Sequence, residues 1–185
     1  MRSGRYLRCM GVRCIATPDD ARALLIELRA PPRLITHGGL VLEAAEELLR
    51  EMRALGVVVD EPLVRAGAML HDCGKTLFPG ELSGSGSEHE QAGYALLREH
   101  DVDPAVARCC VSHAKWGTMT CSLEELLVAL ADALWKGVRR TQLEQRVIAD
   151  VAWHLRVDAW SVFIVADACF ERIADGGGER LARSQ

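Results

Sequence analysis

"AMLHDCGK", residues 68–75, ends an apolar run on a histidine, an aspartate and a thiol. Taken alone the stretch is a helix C-terminus, with Gly74 as a left-handed cap and His71 at the negative end of the dipole. Three metal-seeking side chains in a row raise a second reading, a helix tip that meets an ion. An ion needs ligands from elsewhere in the chain. The choice therefore rests on what the other segments can bring to the same point.

Those segments read as helices. "TPDDARALLIELRA" (17–30) has Thr17 as N-cap and Pro18 at the first helical position, where its missing N–H is no loss. "RLITHGGLVLEAAEELLREMRALG" (33–56) is a long amphipathic pattern ending at Gly56, with its first turn weakened by Gly38 and Gly39. Asp60 caps "DEPLVRAGAMLHDCG", and Asp103 with Pro104 opens "DPAVARCCVSHAK" after "EHEQAGYALLREH". Two capping-box patterns, Ser122 with Glu125 and Thr141 with Glu144, start "SLEELLVALADALWKGVRR" and "TQLEQRVIADVAWHLRV". "DAWSVFIVADACFERIAD" stops at Gly176.

Only "GVVV" (56–59) resembles a strand, and it is too short and solitary to build a sheet. The expected fold is all-α, a single-domain helical bundle over 17–175. A basic, disordered arm (1–16) precedes it and a flexible tail (176–185) follows. The long breaker-rich loop is "FPGELSGSGSE" (78–88).

Composition narrows the function. A chain of 185 residues is long enough for a real core, and no apolar run approaches the ~18 residues of a membrane span. The basic start lacks the continuous apolar centre of a secretory signal, so no membrane partner is expected. A net charge of −4 argues against a general nucleic-acid binder, and no duplex partner is expected. Seven cysteines, an odd number without any C-x-x-C, suit free thiols in a reducing cytoplasm better than a disulfide framework or a thiolate zinc site. Lysine is rare: Lys75, Lys115 and Lys136 are the three.

Six histidines are available, of which His100 and His154 suit surface or core roles. His37, His71, His89 and His113 lie at or near helix termini. Asp132 interrupts the apolar face of "LLVALADALW", where an unpaired carboxylate is costly to bury and a cation would neutralise it. Imidazoles and carboxylates suit iron, manganese or similar ions.

The order His37, His71-Asp72, His89, His113, Asp132 resembles the HD superfamily of metal-dependent phosphohydrolases, whose pattern is H…HD…D on a helical bundle. "AMLHDCGK", "HEQAGYALLRE" and "LADALWKGVRR" carry the likeness, from about His37 to Arg140. Within the superfamily the look is nearest to the branch of symmetrical dinucleoside-tetraphosphate hydrolases.

The resemblance implies two divalent or mixed-valence metal ions, most readily iron, alternatively manganese or another divalent ion. His37, His71, Asp72 and Asp132 would hold the first, and Asp72, His89 and His113 the second. It also implies a phosphohydrolase acting on an ester or anhydride of a nucleotide or small phosphorylated metabolite, with attack by metal-held hydroxide. Asp72 and Lys75 would be the catalytic residues, and Lys75, Lys136, Arg139 and Arg33 would grip phosphate. Lys136 and Arg139 follow Asp132 by four and seven residues and are expected on its helical face, whereas Arg140 belongs to a solvated face. Cys73 is a buried spacer. Trp116 and Tyr94 suit core packing as well as base stacking. Two alternatives share the ligand set: a di-iron oxygenase, and a metal-bearing nucleotide-binding regulatory module without turnover.

Overall fold

The structure, a computed structural model, describes residues 8, 9 and 11–184. Nine α-helices account for most of them. They are α1 (Pro18–Glu27), α2 (Pro32–Leu55), α3 (Glu61–Leu70), α4 (Glu88–Glu99), α5 (Pro104–Lys115), α6 (Leu123–Leu134), α7 (Thr141–Leu155), α8 (Ala159–Asp175) and α9 (Gly177–Arg183). The all-α expectation holds.

Local capping chemistry sets most helix starts. The Thr17 side chain accepts from the Asp20 amide and Asp20 answers at the Thr17 amide, closing a capping box. Asp60 accepts from Leu63 N–H at 3.0 Å, Asp103 from Ala105 N–H at 2.7 Å, and Ser122 with Glu125 forms the expected box. The second expected box does not form. Thr141 is the first helical residue of α7, and Glu144 turns its carboxylate to the Arg140 amide and the Arg139 guanidinium.

The most buried helix is α6. Leu126, Leu127, Leu130 and Leu134 are removed from solvent, packed among α2, α7 and α8. Each such side chain contributes up to about 1.5–3 kcal/mol on burial, an upper figure because unfolded chains already bury some surface. A second apolar cluster joins α1 and the start of α2 to α3, α4 and α5 through Leu24, Leu25, Leu70, Leu97 and Val106. The site described below lies where the ends of these helices meet.

Two glycines are needed for close approach. A Cβ on Gly38 would lie 2.7 Å from the Met69 carbonyl oxygen, so this glycine lets α2 pass against the end of α3. Gly74 is not the left-handed cap that the sequence suggests, since it is absent from the positive-φ residues. The chain instead tightens after α3 into a short 3₁₀ turn, Cys73–Thr76. A Cβ on Gly74 would fall 2.0 Å from the His89 carbonyl oxygen. This contact lets the start of α4, and with it His89, come against the HD turn.

Described residues at both chain ends carry secondary structure. Residues 1–7 and 10 of the expected disordered arm lie outside the described residues. Of the rest, Arg8–Cys9 (β1) pairs antiparallel with Val12–Arg13 (β2), and the Arg13 amide donates to the Asp101 carbonyl at 2.7 Å. The tail expected to be flexible forms α9. Its Arg180 is buried and donates to the Trp135 carbonyl at 2.9 Å and the Leu134 carbonyl at 3.4 Å. A guanidinium thus satisfies the open carbonyls at the end of α6, where a helix has no partners of its own. "GVVV" forms no strand.

Candidate metal centre

Five helix ends deliver the predicted side chains. α2 carries His37, the turn after α3 carries His71 and Asp72, and the first turn of α4 carries His89. The last turn of α5 carries His113, and the last turn of α6 carries Asp132. The sequence expectation placed these six together, and the structure brings them into one cluster.

Asp72 is the hinge of the arrangement. Its Oδ2 lies 3.1 Å from His37 Nε2 and 3.7 Å from His71 Nε2, while its Oδ1 lies 3.2 Å from His89 Nε2 and 3.7 Å from His113 Nε2. Two ligand groups result, His37–His71–Asp72 and Asp72–His89–His113, each with its donor atoms within 4.8 Å of one another. Asp132 Oδ1 joins the first, 3.6 Å from His71 Nε2 and 3.8 Å from His37 Nε2.

Three of the rings are turned by a bond at Nδ1. His71 Nδ1 is 3.0 Å from the Ala68 carbonyl and His113 Nδ1 is 3.1 Å from the Cys109 carbonyl. A carbonyl can only accept, so these Nδ1 atoms carry the protons and the Nε2 atoms of the neutral rings are bare. His89 Nδ1 meets the Glu81 carboxylate, which also accepts from the His89 and Glu88 amides. A carboxylate behind a histidine fixes the ring and raises its basicity toward a metal. Glu81 was missed by the sequence reading. It sits in the breaker-rich loop, eight residues before His89, with no periodicity to tie them.

Charge is held tightly here. Burial works against the charge on Asp72, yet His71, His37 and His89 hold it well below the usual carboxylate range. Burial also opposes the ionised form of Asp132, and the hydrogen bond and charge of His71, with Lys136, more than offset it, so Asp132 too is lowered. Burial disfavours a charged His71, but Asp72 and Asp132 raise its pKa; for His89, Asp72 and Glu81 likewise overcome burial. His113 goes the other way, pushed down to about 4 by burial and then by the neighbouring His71 charge.

These residues fit a metal. Asp72 Oδ1 and His89 Nε2 are buried without a hydrogen-bond partner, a costly state that a shared cation would relieve. His37 Nε2 faces His71 Nε2 at 3.3 Å, where two lone pairs would repel without a proton or cation between them. The donors are nitrogen and oxygen throughout. Cys73 Sγ lies 3.8 Å from the Gly93 carbonyl and 3.8 Å from Cys110 Sγ, so the thiol beside the ligands faces the core.

The cations divide. Lys75 Nζ is 2.6 Å from Asp72 Oδ2, Lys136 Nζ is 3.7 Å from Asp132 Oδ2, and both line a cleft of about 340 Å³ over the ligands. Arg33 lines it too, bonded to Ser83 Oγ at 3.2 Å. Arg139 does not join them. α6 ends at Leu134 and the chain turns away at Gly137 (φ +78°), so the helical face assumed for Arg139 no longer exists. Its guanidinium forks onto Glu144 at 2.8 and 2.9 Å and reaches Asp167. Trp135, also missed, packs edge-on to His37 with ring centroids 5.0 Å apart and donates to Asp132 Oδ1 at 3.3 Å.

Comparison with known proteins adds the following. The family described as the HD domain matches residues 34–135, more than half of the chain. A tRNA (cytidine(56)-2'-O)-methyltransferase of Thermoplasma volcanium is 29% identical over 151 residues, covering 74% of this chain and 41% of that protein. Ribonuclease Y of Treponema pallidum is 32% identical over 117 residues, 60% of this chain and 22% of the enzyme. An uncharacterized protein of Methanocaldococcus jannaschii is 30% identical over 126 residues, 60% of this chain and 71% of its own length. The chain thus spans less than half of the methyltransferase and of the ribonuclease. Among solved structures, the HD domain of the L. monocytogenes phosphodiesterase PgpH, in complex with cyclic-di-AMP, superposes with a TM-score of 0.51 at 16% identity. The superposition covers 81% of this chain and 95% of that one, a likeness of fold.

Proposed function

The chain belongs to the HD domain family, and on that premise we propose that it is a metal-dependent phosphohydrolase of the cytoplasm. Its substrate is a phosphate ester or anhydride of a nucleotide or small phosphorylated metabolite. The branch it most resembles is that of the symmetrical dinucleoside-tetraphosphate hydrolases. The single observation that carries the reading is Asp72, whose two oxygens each face a separate histidine group.

Two ions, iron or alternatively manganese, would be held by His37, His71, Asp72 and Asp132 and by Asp72, His89 and His113. Bound there, they supply Lewis acidity to phosphoryl oxygens and acidify water near neutral pH. The chain's own residues do the rest. Glu81 and the Ala68 and Cys109 carbonyls keep the Nε2 atoms of His89, His71 and His113 turned inward. Trp135 packs edge-on against the His37 ring and donates to Asp132, which steadies both ligands. Lys75, Lys136 and Arg33 line the cleft, where they bind nonbridging oxygens and stabilise charge that grows on them.

The names of ribonuclease Y and of the phosphodiesterase agree with chemistry at phosphorus. Among the described residues no helix is long and apolar enough to cross a membrane. The test is elemental analysis of protein purified without added metal, followed by a phosphatase and nucleotide screen. Metal-dependent release of phosphate or nucleotide is the expected result. A metal-replete protein that consumes dioxygen with an organic substrate, and hydrolyses nothing, would replace this reading.

A further inference from the structure

A second cleft, of about 690 Å³, borders the same centre. It shares His113, Asp132 and Lys136 with the first cleft, and adds Lys115, Trp116, Arg140 and Gln142. The two clefts therefore adjoin at the ligands, as two arms of the site. Lys115, Trp116, Arg140 and Gln142 take no part in the metal centre or the phosphate grip described above.

Its chemistry is anion-seeking and aromatic. Three cations, Lys115, Lys136 and Arg140, face one carboxylate, Asp132, which already serves the metal groups. Lys115 is held by Glu90 at 3.1 Å and Lys136 stands 3.7 Å from Asp132. Arg140 differs: its backbone amide bonds Glu144, but its exposed guanidinium has no hydrogen bond or ion pair among the described residues. Trp116 is half buried, and its backbone is pinned because Arg146 donates both to the Trp116 carbonyl and, at 3.1 Å, to the Met119 carbonyl. Trp116, packed partly against the core, lines this cleft together with the unpaired Arg140 guanidinium, which supplies an aromatic face and a phosphate fork to one space.

We propose that this second arm is a nucleotide subsite, with Trp116 stacking the base and Arg140 gripping phosphate. The preferred substrate is then two-armed, a phosphodiester or phosphoanhydride that extends into both clefts, rather than a terminal phosphomonoester. The inference rests on the hydrolase reading for the identity of the reaction. Water adds to the phosphorus held at the shared centre, one P–O bond forms, and the P–O bond to the leaving half breaks. That half departs with a proton, so atoms and charge balance. A monoester would leave one arm empty and forgo its binding energy.

The test measures binding of adenosine 5′-monophosphate and of inorganic phosphate to the manganese-loaded chain by calorimetry. Alongside it runs hydrolysis of bis(p-nitrophenyl) phosphate. AMP should bind more tightly than phosphate, and Arg140→Glu should weaken AMP about ten-fold or more while changing phosphate far less. Trp116→Phe, which keeps a stacking face, should retain AMP affinity, and Trp116→Leu should lose it. Arg140 lies on the surface, so its variant tests the idea even if a Trp116 variant fails to fold. AMP affinity equal to that of phosphate, or indifferent to Arg140→Glu, would overturn the subsite. If hydrolysis nonetheless proceeds, the hydrolase reading stands without it. AMP binding that follows Arg140 and Trp116 with no hydrolysis would keep the subsite and remove the hydrolase reading.

Discussion

Asp72 Oδ1 and His89 Nε2 lie 3.2 Å apart in the interior, and neither atom has a hydrogen-bond partner. The other oxygen of the same carboxylate faces His37 at 3.1 Å. One aspartate therefore serves both ligand groups, and removing it should disable both. Asp72→Ala is expected to abolish hydrolysis and to reduce bound metal to well below one ion per chain. Replacing both His89 and His113 with alanine should act on one group only, lowering metal from about two ions per chain to about one. Mass-spectrometric metal analysis of the folded variants checks this. Full metal content in Asp72→Ala would sink the assignment.

Protons and metal ions should compete at this centre. The folded pKa values of His71 and His89 are raised above the ordinary histidine value, burial being outweighed by Asp72 with Asp132 or Glu81. In the metal-free protein their stabilisation is complete below pH ~6.5 and is lost as pH rises through the raised values. His113, at about 4, opposes folding as pH falls from ~6.5 toward 4. Above pH ~5 it stays neutral, so a metal displaces protons from His71 and His89 but not from His113. Metal affinity should therefore fall, and proton release on binding rise, between pH 8 and pH 6. Calorimetry in buffers of different ionisation heat measures the release. Equal release at both pH values would contradict the arrangement.

Lys75 sits 2.6 Å from Asp72 Oδ2 and lines the cleft without ligating anything itself. Lys75→Ala should keep its metal and lose turnover, by about 2–4 kcal/mol if the ammonium stabilises charge as other positioned donors do. Lys136→Ala should mainly raise KM. Arg139→Ala should leave KM near wild type and lower the melting temperature instead, because its partners are Glu144 and Asp167. A large KM change for Arg139→Ala, with Lys136→Ala silent, would reverse these roles.

Gly38 and Gly39 are adjacent in α2 and should respond oppositely to alanine. A Cβ at Gly38 meets the Met69 carbonyl oxygen at 2.7 Å, whereas one at Gly39 meets nothing within 4 Å. Gly39→Ala should stabilise by about 0.5–1 kcal/mol through helix propensity. Gly38→Ala should destabilise by about 1–3 kcal/mol through overpacking. At roughly 2–4 °C per kcal/mol for a domain of this size, thermal melting separates the two. Gly38→Ala melting at or above wild type would mean that α2 and α3 are not in close contact.

The sequence by itself determined the helices, most of their caps and the set of metal-binding residue types. These depend on short-range physics: a 3.6-residue period, a Thr17, Asp60, Asp103 or Ser122 side chain reaching an amide within three residues, and a carboxylate out of place on the apolar face of α6. The HD order of the histidines and aspartates was likewise legible in "AMLHDCGK" and the segments after it. Only tertiary structure decided how those side chains meet. Gly74 proved to be a contact with α4 rather than a cap, because the His89 backbone crosses it. Glu81 gained its role from a loop folding back on His89, and Arg139 lost its expected role when α6 ended at Leu134, five residues before it. The tail became the partner of α6 because Arg180 found the open carbonyls of Leu134 and Trp135, more than forty residues away in sequence. Periodicity and capping are properties of neighbours along the chain; a shared carboxylate, a diverted arginine and a second arm beside the centre are properties of neighbours in space.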